Sequence, residues 1–489
     1  MRELVGAATK SAAATIAAGL LSACTSKALA VFSGTGGVGL YSLARQLHHT
    51  LVSLGSFGGQ TAVVQGLSAT RDAERDMFLA TVCWLYAIGA ALVAAFLLAF
   101  PGSIARAVLG ASEPGHARLV ALLAISCVSG VVLSFANGVM ASQLAVGRVA
   151  LSQVICGIVA VAVALPASPL IAAGYPEAVG GILGLSFLGG AAYSCTAAAR
   201  AGWFGPLASA RGVVLARSAL RRFFAVASAT SLAGLAQTGT LLLVRGTVQR
   251  RLGLEGAGHF DAGWSLSMVY IALALSSFST YYLPKLAGEP DSLRRRAIVS
   301  EVMRFTVLAM VPLVVGVMVF KPLAVSLLYS REFLPALDMV RWMLIGDYVK
   351  AAGWVLGVPL VALGAVRVHF WAEIAWAAGL LAITALPGGA FSLERVGMAY
   401  AALYAAYLAF VGWYSGTRLG VGVDRVLMLR WGAGFALVGV AAAATWSQRA
   451  VHWPTALALM LAALAYSWSG LSRGERLSVV GRIRRLADR

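Results

Sequence analysis

The sequence predicts an all-α protein that crosses a membrane about fourteen times, and three observations predict it. The chain of 489 residues is 60% hydrophobic and 12% charged, with a mean hydropathy of +0.83, whereas soluble domains carry roughly 25% charged residues. Its apolar residues come in runs of about 20, the length a helix needs to cross the hydrocarbon. Two of those runs end in glycine-rich stretches that look like copies of one another. At the offset that places Gly34 on Gly253, Gly37, Gly39 and Leu47 fall on Gly256, Gly258 and Leu266, and Tyr41 falls on Phe260.

Read in order, the candidate spans lie near 8–32, 39–66, 77–100, 117–143, 149–171, 177–199, 223–246, 259–283, 299–320, 337–363, 368–388, 395–417, 431–447 and 453–471. The first follows Arg2 and Lys10 and continues past Lys27 without a small-x-small cleavage site, so it reads as a retained span. The second and eighth spans carry the repeat. They are six spans apart and run in one direction, which describes a parallel repeat about an axis along the membrane normal. The chain therefore divides into a six-helix bundle over 1–210, a second, pseudo-symmetric six-helix bundle over 211–425, and an added helix pair with a basic tail over 426–489.

Lysine and arginine set the orientation. With both termini cytoplasmic, the inner segments hold Arg71, Arg75, Arg148, Arg200, Arg211, Arg217, Arg221, Arg222, Lys285, Arg294, Arg295, Arg296, Arg367, Arg418, Arg425, Arg430 and the tail from Arg473 to Arg489. The outer segments hold far fewer. A net charge of +19 on a soluble protein would point to nucleic acid. Here it reports inner loops lying against anionic lipid, and no nucleic-acid partner is expected.

Several chemistries are argued against. Cys24, Cys83, Cys127, Cys156 and Cys195 sit in apolar runs without a CxxC pair, so neither a disulfide framework nor a metal site is expected. Gly34-Thr-Gly-Gly-Val-Gly39 formally matches G-x-G-x-x-G, but an apolar helix precedes it where a dinucleotide site needs a strand. Its glycines are expected to make a tight turn and let two helices approach closely. No Walker A sequence occurs, and the polar segments are too short to build a catalytic domain. The expectation is a transporter, not an enzyme, with no cofactor.

The informative residues are ionisable ones inside the spans: Lys27, Arg45, Arg245, Asp261, Asp347, Lys350 and Glu373, the last near the start of its span where Arg367 could hold it at the interface. A charge facing lipid at mid-span costs about 2.5–3.5 kcal/mol on the lenient insertion scale, so each must snorkel, pair or face a wet cavity. Lys27 and Arg45 are close enough to span ends to snorkel. Asp261 is placed to pair with Arg245 or Arg45, and Asp347 and Lys350 share a helical face at i, i+3. Lys27 and Arg245 precede matching glycine turns in the two halves, and a cationic cavity between repeats suits phosphate, which guanidinium meets as a fork and ammonium as a point charge. Lys27, Arg45, Arg245 and Lys350 are therefore the expected substrate-binding residues, and Asp261 and Asp347 the expected coupling or gate residues. Gln46, His48, His49, Gln60, Gln65, Asn137 and Gln237 could meet sugar hydroxyls, or serve only as hydrogen bonds between helices.

At Lys27-Ala-Leu-Ala-Val, at Arg45-Gln46-Leu47, at Gly258-His-Phe-Asp-Ala-Gly-Trp264 and above all at Leu275-Ser-Ser-Phe-Ser-Thr-Tyr-Tyr-Leu-Pro284, the chain resembles the Wzx-type polysaccharide flippases (O-antigen and enterobacterial common antigen) of the MATE-like MOP transporter superfamily. The resemblance covers about the first 420 residues. That family often has twelve spans, so the last pair departs from it. Lipid II flippases also have fourteen spans, but their Arg-rich first-helix pattern is absent here. The resemblance implies a flippase that moves undecaprenyl-pyrophosphate-linked oligosaccharide across the bacterial inner membrane by alternating access, for surface polysaccharide such as lipopolysaccharide O-antigen. Its partners would be that lipid-linked oligosaccharide, membrane lipids and other polysaccharide-assembly membrane proteins. The alternatives are a cation-coupled multidrug antiporter of the same superfamily, which needs acids where this chain has Lys and Arg, and a membrane polysaccharide polymerase or ligase, which needs a large outer loop.

Overall fold

A computed structural model describes residues 2–205, 207, 215–386, 391–447 and 449–476, with side chains for these apart from 2–15, 229–231, 233, 272–281 and 284. Parts of two expected inner segments, 208–214 and 477–489, lie outside the described residues, as do most side chains of the Leu275–Pro284 signature. The described chain is built of helices joined by short turns. Its elements are α1 (Arg2–Phe32), α2 (Gly34–Gly55), α3 (Gln60–Ala69), α4 (Asp72–Ala99), α5 (Pro101–Ile104), α6 (Pro114–Ser142), α7 (Val146–Ala172), α8 (Ala178–Arg200), α9 (Arg217–Ala287), α10 (Ser292–Leu328), α11 (Leu337–Ala362), α12 (Val366–Ala385), α13 (Leu393–Thr417), α14 (Arg425–Ala444) and α15 (Trp453–Gly470). Nine helices among the described residues are long and apolar enough to cross a membrane. Counting α9 as two arms, each of the fourteen expected windows overlaps a long helix.

Two expected boundaries shift. The second span does not run unbroken from 39 to 66. It begins at Gly34, directly after α1, and stops at Gly55, where Phe57 and Gly58 take left-handed φ of 52° and 55° before α3 resumes. The seventh and eighth spans are not separated by a loop over 247–258. They are the two arms of α9, broken by a single residue, Gly253, at φ 73° and ψ −175°. A residue with a Cβ is strained there, and glycine is not.

The chain packs as two compact units: Met1–Asp261 with Leu328–Glu332, and Ala262–Leu327 with Phe333–Arg489. This division follows packing, whereas the division after residue 210 follows the repeat. In the first unit, α3, α4, α6 and the start of α9 share a core around Val63, Phe78, Tyr86, Phe135 and Phe223. Small residues set the spacing: a Cβ on Gly66 would lie 2.0 Å from the Phe78 ring. Lipid tails are as apolar as leucine, so close packing and interhelical hydrogen bonds hold such helices together. Asn137 Oδ1 accepts from Ser152 Oγ (3.2 Å) and Ser194 Oγ (3.1 Å), joining α6, α7 and α8.

In the second unit, Val311, Val314 and Met318 of α10 and Val340, Leu344 and Tyr348 of α11 pack with Val438 and Ala441 of α14 and Leu459 and Ala463 of α15. The added C-terminal pair is thus part of this unit's core. Buried cations finish one end of it. Lys321 donates to the Thr445 carbonyl (2.9 Å) and hydroxyl (2.8 Å), and Arg341 donates to the Trp446 carbonyl (3.1 Å). They satisfy carbonyls at and just beyond the C-terminus of α14, where positive charge is favoured.

Candidate functional site: a buried arginine pair and a hydroxyl-caged aspartate

Arg245 and Asp261 lie eight residues either side of Gly253. On a straight helix they would be about 24 Å apart, at 1.5 Å per residue. Arg245 Nη1 instead sits 2.7 Å from Asp261 Oδ1, so the break at Gly253 turns α9 back on itself as a tight helical hairpin. Arg45 of α2 reaches the same oxygen at 3.4 Å. Two guanidinium groups thus share one carboxylate, and the cluster keeps one formal positive charge.

The two arginines are held differently. The Arg245 side chain is only 5% exposed, donates also to the Ser42 carbonyl (3.3 Å) and lies over the Phe260 ring (5.7 Å). Its Nε has no hydrogen-bond partner among the described residues. The Arg45 side chain is 23% exposed and lies over the ring of Tyr41, one turn earlier on α2 (5.4 Å). Arg245 therefore reads as the locked member and Arg45 as the accessible one. Lys27, half-buried on α1, donates to the Tyr329 carbonyl.

Glycines bring these helices together, and they do so symmetrically. A Cβ on Gly39 would lie 2.0 Å from the Leu254 carbonyl oxygen, and one on Gly258 would lie 2.1 Å from the Thr35 carbonyl oxygen. The repeat offset carries Gly39 onto Gly258 and Thr35 onto Leu254, so each contact is the other's image. Gly34 and Gly253, also equivalent, both have positive φ, 66° and 73°. The glycine motif makes the tight turn and close helix approach expected of it. Its first residue makes the turn, and the rest form the opening of α2.

In the second unit Asp347 of α11 is fully buried. Its Oδ2 accepts from Ser267 Oγ (2.6 Å) and Tyr270 Oη (2.5 Å), both on the second arm of α9, and its Oδ1 accepts from Tyr400 Oη of α13 (2.6 Å). Lys350, one turn further along α11, donates to Tyr400 Oη at 3.3 Å and lies over the Tyr404 ring at 5.1 Å. Asp347 and Lys350 share a helical face, as their i, i+3 spacing implies. Tyr400 stands between them as a bridge, donating to the acid and accepting from the base. Three hydroxyl donors offset the cost of burying a carboxylate.

The structure thus joins Arg45, Arg245 and Asp261 in one cluster and Asp347 and Lys350 in another. Ser267, Tyr270, Tyr400 and Tyr404 were not singled out from sequence. Their only signal was spacing, i, i+3 for Ser267 and Tyr270 and i, i+4 for the tyrosines, which places each pair on one face without saying what it faces. Of the polar residues considered for sugar contact, three are engaged inside the first unit. Gln46 donates to the Thr238 carbonyl (2.9 Å), His48 meets Ser126 Oγ (2.7 Å), and Asn137 holds its two serines.

Comparison with known proteins agrees with this architecture. The solved structure described as the lipid II flippase MurJ in an inward closed conformation superposes with a TM-score of 0.73 at 13% identity, over 96% of this chain and 99% of that one. An inward-facing multidrug resistance MATE family transporter of the MOP superfamily gives 0.65 at 14% identity, over 83% and 94%. At such identities the likeness is one of fold. In sequence, the lipid III flippase of Escherichia coli (strain K12) is 25% identical over 170 residues, which is 34% of this chain and 40% of that protein. The matched stretch is thus under half the length of that relative. A family model described as "Polysaccharide biosynthesis protein" matches residues 35–338, from the glycine turn at the start of α2 to the first turn of α11. That span takes in the arginine pair, Asp261 and both glycine crossings, and with it the chain belongs to the polysaccharide biosynthesis protein family.

Proposed function

We propose that this protein is a flippase that carries undecaprenyl-pyrophosphate-linked oligosaccharide across the bacterial inner membrane for surface polysaccharide assembly. The observation that carries the reading is the shared carboxylate. Asp261 balances one of its two guanidinium groups, so a buried cluster keeps a positive charge that an anionic head group would complete. In this reading Arg45, the accessible member, takes the pyrophosphate with Lys27, and Arg245 fixes the carboxylate that positions Arg45. Lys350 serves acidic sugars. Asp261 and Asp347 act as coupling or gate residues, because protonating either would remove the partner that restrains a neighbouring cation or hydroxyl. Six-helix bundles over 1–210 and 211–425 would alternate access, with both termini cytoplasmic and the lipid tail left in the bilayer.

The relative in E. coli bears the name lipid III flippase, and this supports a lipid-linked substrate. A multidrug antiporter would need an accessible acid for an organic cation, whereas Asp347 is enclosed by three hydroxyls and Asp261 by two arginines. Complementation tests the proposal. The wild-type chain should restore surface glycan to a strain lacking its polysaccharide flippase, and Arg45→Ala or Lys27→Ala should reduce it at equal membrane abundance. Full surface glycan from the Lys27→Ala, Arg45→Ala double variant would sink the reading.

A further inference from the structure

A groove of about 660 Å³ runs between α12 and α13 in the second unit, lined by Arg367, Trp371, Trp376, Leu403, Tyr407 and Phe410 among others. That is the size of a small-molecule site, yet among the described residues lining it Arg367 alone is charged. Both helices are apolar and long enough to span the membrane, and Trp371 is 65% exposed. The groove therefore opens on the bilayer, where its occupant is lipid. Arg367 lies in the first turn of α12, at the end that the lysine and arginine bias assigns to the cytoplasmic face. A cation at the mouth of an apolar cleft between helices on that face fits a lipid phosphate above acyl chains.

The groove also touches the polar machinery. Trp376, in its wall, packs on Tyr404 with ring centroids 4.8 Å apart, and Tyr404 lies beneath the Lys350 ammonium. Tyr407, in the same wall, meets His369 Nδ1 at 3.4 Å. A chain seated in the groove would hold Trp376 against the stack that positions Lys350.

We propose that the α12–α13 groove is a resident site for an anionic phospholipid, with its phosphate on Arg367 and an acyl chain along Trp371, Trp376 and Phe410. Charge decides the class: one guanidinium pairs with one phosphodiester, and a zwitterionic lipid brings its own cation to the same place.

The test uses the full chain, purified in mild detergent and incubated with phosphatidylglycerol or phosphatidylcholine, and reads bound lipid by native mass spectrometry. The wild type should retain at least one phosphatidylglycerol under conditions that strip phosphatidylcholine. Arg367→Gln, at an exposed position, should lose that preference severalfold while keeping its melting temperature without lipid. Ala406→Phe, which fills the groove, should lose retention of both lipids. Equal retention of the two lipids by the wild type, or an unchanged preference in Arg367→Gln, overturns the proposal. So does displacement of phosphatidylglycerol by equimolar undecaprenyl phosphate, which would make the groove a seat for the isoprenoid carrier. Because binding is read without transport, the result stands apart from the flippase proposal.

Discussion

At the scale of the residue, the arginine pair separates stability from function. Arg245 and Asp261 are buried at 5% and 1% side-chain exposure and in direct contact. Removing Asp261 leaves two guanidinium groups without their counter-charge, which costs about 3–5 kcal/mol, whereas removing Arg245 leaves the carboxylate paired with Arg45 and costs less. Arg45 is more exposed and more distant from the carboxylate, so its loss should cost under about 1 kcal/mol. Asp261→Asn is therefore expected to lower the melting temperature of the purified protein strongly, Arg245→Met less, and Arg45→Met only slightly. The Arg245→Met, Asp261→Asn double variant should be more stable than the sum of the single changes allows, which thermal melting of the four proteins in a mutant cycle measures. Additive losses would mean that the contact contributes nothing. These charges were legible in the sequence because a cation in an apolar run is conspicuous by its cost. The hydroxyls around Asp347 were not, because Ser267, Tyr270 and Tyr400 cost little in a helix and gain meaning only when α9, α11 and α13 come together.

At the scale of the element, helix positions follow hydropathy and helix junctions follow glycine. The fourteen windows were readable because the hydrocarbon imposes a minimum run of apolar residues. The junctions at Ser33–Gly34 and Gly253 were harder to place, since a single left-handed residue leaves little mark on hydropathy. What the repeat did carry was equivalence: Gly39 and Gly258 share a register, and the structure shows them making reciprocal contacts with the Leu254 and Thr35 carbonyls. A methyl group at either position would lie about 1 Å inside the distance that real Cβ atoms keep, against a backbone that cannot step aside. Gly39→Ala and Gly258→Ala should each destabilise the first unit by about 1–3 kcal/mol, the usual cost of overpacking. Gly36→Ala is the control. Its Cβ would meet Leu254 Cβ at 4.0 Å, an ordinary contact, and its melting temperature should match the wild type. Equal tolerance at all three positions would show that the crossing is loose.

At the scale of the whole molecule, the division by packing and the division by repeat diverge at the first arm of α9. Sequence periodicity records which segments are copies, and packing records which segments touch. The hairpin at Gly253 lets a segment assigned to the second bundle by the expected repeat pack inside the first unit through Arg245 and Asp261. The topology proposed from charge makes a sharp demand on this hairpin. Glu255 opens the second arm of α9, and Pro290 follows its end at Ala287, next to Arg294, Arg295 and Arg296. The arm from 254 to 287 is about 50 Å long at 1.5 Å per residue, well beyond the roughly 30 Å of hydrocarbon. If the arm spans, its ends emerge on opposite sides, and in the proposed topology three clustered arginines would keep the Pro290 end inside. In intact cells of a variant whose native cysteines are replaced by serine or alanine, a membrane-impermeant maleimide should label Glu255→Cys and leave Pro290→Cys unmodified until the membrane is opened. Labelling of Pro290→Cys alone in intact cells would invert the topology, placing both termini outside. Labelling at both positions would mean that this arm of α9 does not span the membrane, and the fourteen-span arrangement would fall with it.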